Sequence, residues 1–145
     1  MNDDRSAIIN EGKVHNTALQ TIHICVTCQR PGEALPPGEQ AGQQLYQAIA
    51  ARAAQAGARL HVAPVACMAN CKRSCTVAFA APGKWTYILG EIDPGIAGMA
   101  DAVLACAALQ AESPDGTISY FKRPEILRKG TIARVPSLSL GAELS

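Results

Sequence analysis

The spacing of apolar positions changes along the chain and marks two kinds of element. Residues 21–26, TIHICV, are apolar and β-branched, which predicts a short strand. Residues 39–55 are rich in Ala and Gln, and Leu45, Ile49 and Ala53 recur every fourth residue. This recurrence is typical of an amphipathic helix with one apolar face.

The remaining apolar segments predict three more strands and one more helix. Gly57 is placed to end the first helix, and residues 59–65 then return as a strand. Residues 76–81 and 85–92 flank a Pro-Gly dipeptide, which indicates a hairpin. A second helix is indicated by apolar residues at helical spacing: Ile96, Met99, Ala100, Val103, Leu104 and Ala107.

The resulting order of strand, helix, strand, strand, strand, helix predicts an α/β fold. A helical crossover makes the first two strands parallel, and the hairpin then extends the same sheet in antiparallel fashion. We therefore expect a thioredoxin-like fold with a mixed four-stranded sheet, βαβββα, and helices packed on it. The expected divisions are a flexible lead-in at residues 1–19, the domain at 20–112, and an extended C-terminal tail at 113–145 that wraps the domain.

The composition limits which cellular compartments and which classes of protein fit this sequence. The 145 residues suit one domain, and the six cysteines are clustered rather than spread as in a disulfide-rich secreted scaffold. The amino terminus shows no export signal, and no apolar stretch approaches the roughly 18 residues of a spanning helix. A net charge of +1 gives no general attraction to nucleic acid or membrane. We expect a cytoplasmic protein with reduced thiols.

The cysteines carry the most specific chemical signal in the sequence. They form two groups and one outlier: Cys25 and Cys28, then Cys67, Cys71 and Cys75, then Cys106. Each group directly follows a predicted strand. Because neighbouring parallel strands lie about 5 Å apart and end at the same edge of a sheet, thiolates from both groups are expected to converge there.

Four converging thiolates suit zinc or an iron-sulfur cluster. Structural zinc sites often repeat Cys-x-x-Cys, whereas the second group here has three residues between successive cysteines. A 2Fe-2S cluster divides its ligands into one pair per iron, which matches two groups. His23 and His61 fall inside strands and are expected to be core or edge residues. Cys106, among Ala and Leu, is expected to be a buried structural thiol.

Other readings of the same residues stay open. Cys25 and Cys28 also have the spacing of a redox dithiol. Cations near the cysteines would either surround a metal or form an ordinary solvated surface: Arg30, Lys72, Arg73 and, less directly, Lys84. The basic residues of the tail admit the same alternatives, and aromatic residues for stacking on nucleic-acid bases are scarce. Trp85 and Tyr87 share one face of their strand, which favours core packing over a partner-facing patch.

The motifs ICVTC, CMANCKRSCTVAF, APGKWTYILGEID and YFKRPEILRKGTIARVP resemble a known family. It comprises predicted metal-binding proteins often encoded beside cobalamin or CobW-type genes, a branch of the thioredoxin-like 2Fe-2S ferredoxins. The resemblance covers about residues 20–137. It implies a 2Fe-2S cluster on Cys25, Cys28, Cys67 and Cys71. Because only two residues separate the first pair, Cys75 is the alternative ligand to Cys28. The resemblance also implies a homodimer.

The sequence thus favours an electron carrier over an enzyme. It contains no glycine-rich phosphate loop, no nucleophile elbow and no paired carboxylates near a histidine. The expected partners are redox proteins, either a reductase or an electron acceptor, and neither nucleic acid nor a membrane. Two alternatives remain: a zinc or cobalt binding or delivery protein that uses the same thiolates, and a thiol-disulfide oxidoreductase.

Overall fold

A computed structural model describes residues 20–137, so the predicted lead-in at 1–19 lies outside the described residues. The described part contains five strands and two helices. In chain order these are β1 Gln20–Cys25, α1 Ala41–Ala56, β2 Leu60–Val65, β3 Val77–Ala80, β4 Thr86–Leu89, α2 Met99–Glu112 and β5 Thr131–Val135. Three short 3-10 turns span Cys71–Arg73, Tyr120–Lys122 and Glu125–Leu127.

The strands form one mixed sheet in the order β2-β1-β3-β4-β5. β1 and β2 are parallel, joined by the α1 crossover, and the other neighbours are antiparallel. The first four strands follow the thioredoxin-like order, which confirms the predicted α/β fold. The predicted count of four strands is wrong, because part of the C-terminal tail pairs with the free edge of β4 as a fifth strand. An unpaired strand edge offers a row of hydrogen-bonding groups that a nearby β-branched segment readily satisfies.

The core lies between the sheet and the two helices. Ile22 and Ile24 of β1 and Phe79 of β3 are fully buried there. Leu45 and Ile49 of α1 pack against them, which confirms the predicted apolar face. Three of these five side chains are β-branched or aromatic residues on strands, where such shapes pack well.

The second helix begins later than the sequence indicates. α2 starts at Met99, and Ile96 lies in the preceding turn with 44% of its surface exposed. Gly98, the N-cap residue, adopts a left-handed conformation with φ of 81°. This conformation is not helical, so the helix begins only at the next residue. Met99, Val103 and Ala107 then face the core as predicted.

Several smaller predictions are also settled. His61 is exposed on the edge strand β2 and His23 is half-buried in β1, while Cys106 is fully buried. Tyr87 is buried, and Trp85 is half-buried against the core with the Arg134 guanidinium 4.6 Å from its ring centroid. No helix among residues 20–137 is long and apolar enough to cross a lipid bilayer.

Candidate metal centre

Five cysteines lie at the edge of the sheet where β1 and β2 end, and we call this set the cysteine rim: Cys25, Cys28, Cys67, Cys71 and Cys75. β1 ends at Cys25, whose parallel register partner on β2 is Val65. The first group therefore leaves the sheet beside the point where the chain continues to Cys67. This is the edge at which the sequence predicts that the thiols meet.

Hydrogen bonds hold the two rim loops, the loop after β1 and the connection between β2 and β3, to each other. The Val26 N–H donates to the Val65 carbonyl at 2.9 Å, and the Cys25 N–H donates to the Thr76 carbonyl at 3.0 Å. The Thr27 hydroxyl donates to the Ala66 carbonyl. The Ser74 hydroxyl likewise donates to the carbonyl of Gln29. The loop that carries Cys28 is thus bonded at several points to the segment that carries Cys67, Cys71 and Cys75.

The inner half of the rim consists of three buried thiols. Cys25, Cys28 and Cys75 expose 2%, 3% and 2% of their surfaces. The Cys28 and Cys75 thiols are neighbours, and their interaction, the largest cause for both groups, raises the pKa of Cys28 and lowers the pKa of Cys75. Cys25 also contacts Cys28, and its Sγ lies 3.7 Å from the Thr27 hydroxyl. These thiols form one contiguous set.

The outer half consists of two exposed thiols, Cys67 and Cys71. Between them Ala69 adopts a left-handed backbone with φ of 57°, and its N–H donates to the Cys67 Sγ at 3.3 Å. Negative charge on Cys67 raises the pKa of Cys71, with smaller contributions from Cys28 and Cys25. The two halves lie at the same edge of the sheet, because Cys67, Cys71 and Cys75 all belong to the connection between β2 and β3.

Helix α1 begins directly beneath the Cys25–Cys28 loop. The Gly42 N–H in its first turn donates to the Cys28 carbonyl at 2.9 Å. A Cβ at Gly42 would lie 2.0 Å from the Cys25 carbonyl oxygen, so only glycine permits this approach. The positive end of the helix dipole therefore lies close to the inner thiols, where it favours negative charge.

Carboxylates neutralise most of the cations predicted to surround the rim. Arg30 pairs with Asp93 at 2.9 Å and with Glu33 at 3.3 Å. Arg73 pairs with Glu91 at 3.2 Å. Lys72 is exposed and brings the number of cations near the rim to three, which equals the number of these carboxylates. The rim therefore has no strong positive field.

Lys84 is placed elsewhere, so its predicted position near the metal is wrong. It lies in the β3–β4 turn, at the end of β3 opposite Cys75. Its Nζ donates to the Ala111 and Ser113 carbonyls at 2.5 and 2.7 Å. The cation thus satisfies carbonyls at the C-terminal end of α2, where the helix dipole also favours positive charge.

The donor set fits a thiophilic metal group. Thiolates are the ligands that iron-sulfur clusters and zinc prefer. Among residues 20–137, no three histidine, cysteine or carboxylate side chains are gathered tightly enough to hold a single metal ion. The thiols form two neighbouring sets, and a 2Fe-2S cluster likewise needs its thiolates divided between two irons.

The sequence reasoning missed the residues that position the rim. Gly42 was open to detection, since an isolated glycine in a helix rich in alanine signals a close backbone approach. Thr27 and Ser74 gave no such signal, because their hydrogen-bond partners lie 39 and 45 residues away in the chain.

The fold and the site together define a small thioredoxin-like protein with a cysteine-rich rim. Residues 22–137 match the family described as "Protein of unknown function (DUF1636)", and the chain belongs to this family. No curated protein matches this chain in sequence. The predicted proximity to cobalamin or CobW-type genes stays a prediction.

Two solved structures are similar to this chain. One is a thioredoxin-like 2Fe-2S ferredoxin from Aquifex aeolicus, with 18% identity, a TM-score of 0.49, and coverage of 80% of this chain and 92% of that chain. The other is the wild-type thioredoxin-like 2Fe-2S ferredoxin from the same organism, with 16% identity, a TM-score of 0.46, and coverage of 79% and 97%. Both likenesses are too low to carry information on function.

Proposed function

We propose that this protein binds one 2Fe-2S cluster at the cysteine rim and acts as an electron carrier without a substrate of its own. The observation that supports this most is that five thiols lie at one edge of the sheet, on the loop after β1 and on the connection between β2 and β3. When bound, such a cluster supplies one-electron chemistry. The protein would tune its potential through hydrogen bonds to sulfur, such as the Ala69 N–H to Cys67.

The proposed ligands are Cys25, Cys28, Cys67 and Cys71, with Cys75 as the alternative to Cys28. The contact between the Cys28 and Cys75 thiols makes them neighbours, so the one that is not a ligand remains beside the one that is. Both are buried and both lie near Cys25. Separate Cys28→Ser and Cys75→Ser variants distinguish them, because replacing a ligand changes the spectrum far more than replacing its neighbour.

Anaerobic purification tests the proposal through iron and sulfide content, visible absorption, and electron paramagnetic resonance of the reduced sample. We expect two irons and two sulfides per chain and a paramagnetic signal on reduction. Cys71→Ser should remove or alter the signal. Cys106→Ala is the matched control, since Cys106 is fully buried away from the rim among residues of α2 and should leave the signal unchanged. A colourless protein that holds zinc would contradict the proposal and favour metal binding or delivery.

The Cys28–Cys75 contact also supports a second candidate, a thiol-disulfide oxidoreductase. The lowered pKa of Cys75, caused first by its interaction with Cys28, is a property of attacking thiols. Here Cys67→Ser separates the two functions. A dithiol enzyme keeps its disulfide-reducing activity in this variant, whereas a cluster protein loses or changes its spectrum.

A further inference from the structure

Beyond the cysteine rim, the described chain carries an unusual concentration of exposed apolar surface. Tyr120, Phe121 and Ile126 expose 43%, 79% and 49% of their surfaces within seven residues. They belong to the two 3-10 turns of the tail, and we call residues 120–129 the basic-aromatic turn. The Tyr120 and Phe121 rings contact each other with centroids 5.1 Å apart, and clustered exposed apolar side chains mark an interaction surface more often than a scattered single one does.

A buried side chain and several hydrogen bonds fix the conformation of the turn, so its exposed side chains are ordered. Leu127 is fully buried and anchors the second 3-10 turn. Arg123 donates to the Thr131 hydroxyl and to the Ile118 carbonyl, both at 2.8 Å. Arg128 donates to the Phe121 carbonyl at 3.0 Å. An interface residue that is already ordered loses less conformational entropy when a partner binds.

The charge around this apolar surface is positive. The turn contains four cations, Lys122, Arg123, Arg128 and Lys129, against the single carboxylate of Glu125. Lys122 and Lys129 are exposed, and neither takes part in an ion pair among the described residues. The turn therefore differs from the cysteine rim, where carboxylates neutralise the cations.

The basic-aromatic turn is joined to the rim side of the molecule by backbone hydrogen bonds. Directly after Lys129, the Gly130 carbonyl accepts from the Gly90 N–H at 2.8 Å. The next residue, Glu91, donates its N–H to the Arg73 carbonyl at 2.7 Å. Arg73 lies between Cys71 and Cys75. The Lys129 end of the turn thus lies beside the loop that carries Cys71 and Cys75, whereas Lys122 lines a cavity with Glu112 at the C-terminal end of α2.

We propose that the basic-aromatic turn is the docking surface for an acidic redox protein that exchanges electrons with the rim. Positive charge with exposed aromatic area fits an acidic, partly apolar partner surface. A second copy of this chain fits poorly, because a two-fold contact would bring the same lysines against each other. The inference rests on the proposed electron-carrier function.

The test uses the full chain and flavodoxin, a small acidic flavoprotein, as the probe. Electron transfer between the reduced protein and flavodoxin is followed by stopped flow at low and high salt, and binding is measured separately by fluorescence anisotropy of labelled flavodoxin. Lys122→Glu and Lys129→Glu should each lower the low-salt association rate about five-fold or more. Arg59→Glu is the matched control, an exposed cation before β2 at the opposite edge of the sheet.

The apolar part of the surface has its own pair of variants. Phe121→Ser should weaken binding about ten-fold with little change in salt dependence, since it removes contact area rather than charge. Val135→Ser, which alters a 45% exposed side chain on β5, should have no effect. Circular dichroism confirms that each variant folds.

Three outcomes would overturn the inference. The first is that the lysine reversals behave like Arg59→Glu. The second is that Phe121→Ser behaves like Val135→Ser. The third is that the protein co-sediments with vesicles containing phosphatidylserine through Lys122 and Lys129, which would assign the turn to anionic lipid. If the protein holds no cluster, the proposed function fails by its own test, while anisotropy with the cluster-free chain still decides whether the turn binds an acidic protein.

Discussion

The inner and outer halves of the cysteine rim are built differently. Cys25, Cys28 and Cys75 are buried at strand ends and in loops fixed by hydrogen bonds. Cys67 and Cys71 are exposed, and they lie in a loop with a left-handed Ala69 and a single 3-10 turn. The folded chain therefore fixes the positions of the inner thiols. The positions of the outer thiols depend more on the metal group that they bind.

The largest expected effect comes from Gly42→Ala, which breaks the inner half. The added Cβ would lie 2.0 Å from the Cys25 carbonyl oxygen, so the loop after β1 must shift. We expect a loss of about 3 kcal/mol in unfolding free energy, despite the better helix propensity of alanine. Urea unfolding followed by circular dichroism measures it.

Ala54→Gly is the control for this variant, on the exposed side of the same helix. It should cost about 1 kcal/mol through helix propensity alone and leave the rim unchanged. If Gly42→Ala costs no more than Ala54→Gly, the tight approach between α1 and the inner thiols is not a constraint on the fold.

An intermediate effect is expected when the same substitution is made in each half of the rim. In the metal-free protein, Cys25→Ser should cost about 1–2 kcal/mol, because it places a hydroxyl in a buried, largely apolar site. Cys67→Ser should change the unfolding free energy by less than about 0.5 kcal/mol, since Cys67 is exposed. Chemical denaturation of both variants in the presence of a chelator gives the comparison, and equal costs would remove the distinction between the halves.

The smallest expected effect is electrostatic. Asp93 accepts from the Gly95 N–H at 2.8 Å and from Arg30 at 2.9 Å, and these contacts, the Gly95 hydrogen bond first, lower its pKa below the usual 3.8. A lowered carboxyl pKa stabilises the fold above the unfolded-state pKa, and this stabilisation is lost as the pH falls through the lower folded-state value. Because the pair is partly exposed, Asp93→Asn should cost only about 0.5 kcal/mol at pH 7.

Unfolding measured at several pH values tests this prediction. The difference between the wild type and Asp93→Asn should shrink below about pH 4, where the carboxylate of the unfolded chain takes up its proton. Glu91→Gln, which removes the Arg73 pair on a more exposed carboxylate, serves as the comparison and should have a smaller effect. A difference for Asp93→Asn that stays constant with pH would show that its charge is not involved.

The parts of the fold set by local pattern were predictable from the sequence. Strand β1, helix α1 and strand β2 each have a clear apolar repeat, and the crossover between them fixes where Cys25 and Cys67 leave the sheet. The general position of the cysteine rim follows from these elements alone. The apolar positions Leu45 and Ile49 likewise identified the buried face of α1.

The parts that depend on distant partners were not predictable. The contact between Cys28 and Cys75 arises only when the loop before β3 folds against the loop after β1. The pairing of Arg30 with Asp93 joins residues 63 positions apart, and nothing in either local sequence indicates it. Strand β5 lies in the stretch that the sequence predicts as an extended tail, because a short strand with Ala and Arg lacks a strong alternating pattern.

Strand β5 covers the edge of β4, and the new edge of the sheet is a short strand that carries Arg134. Without residues 131–135, the outer N–H and C=O groups of β4 would face solvent as a template for chains from other molecules. The opposite border, β2, carries Pro64, which lacks an amide donor. Loss of residues 131–135 would therefore expose the pairing edge of β4 and favour sheet-to-sheet aggregation, even with every cysteine intact.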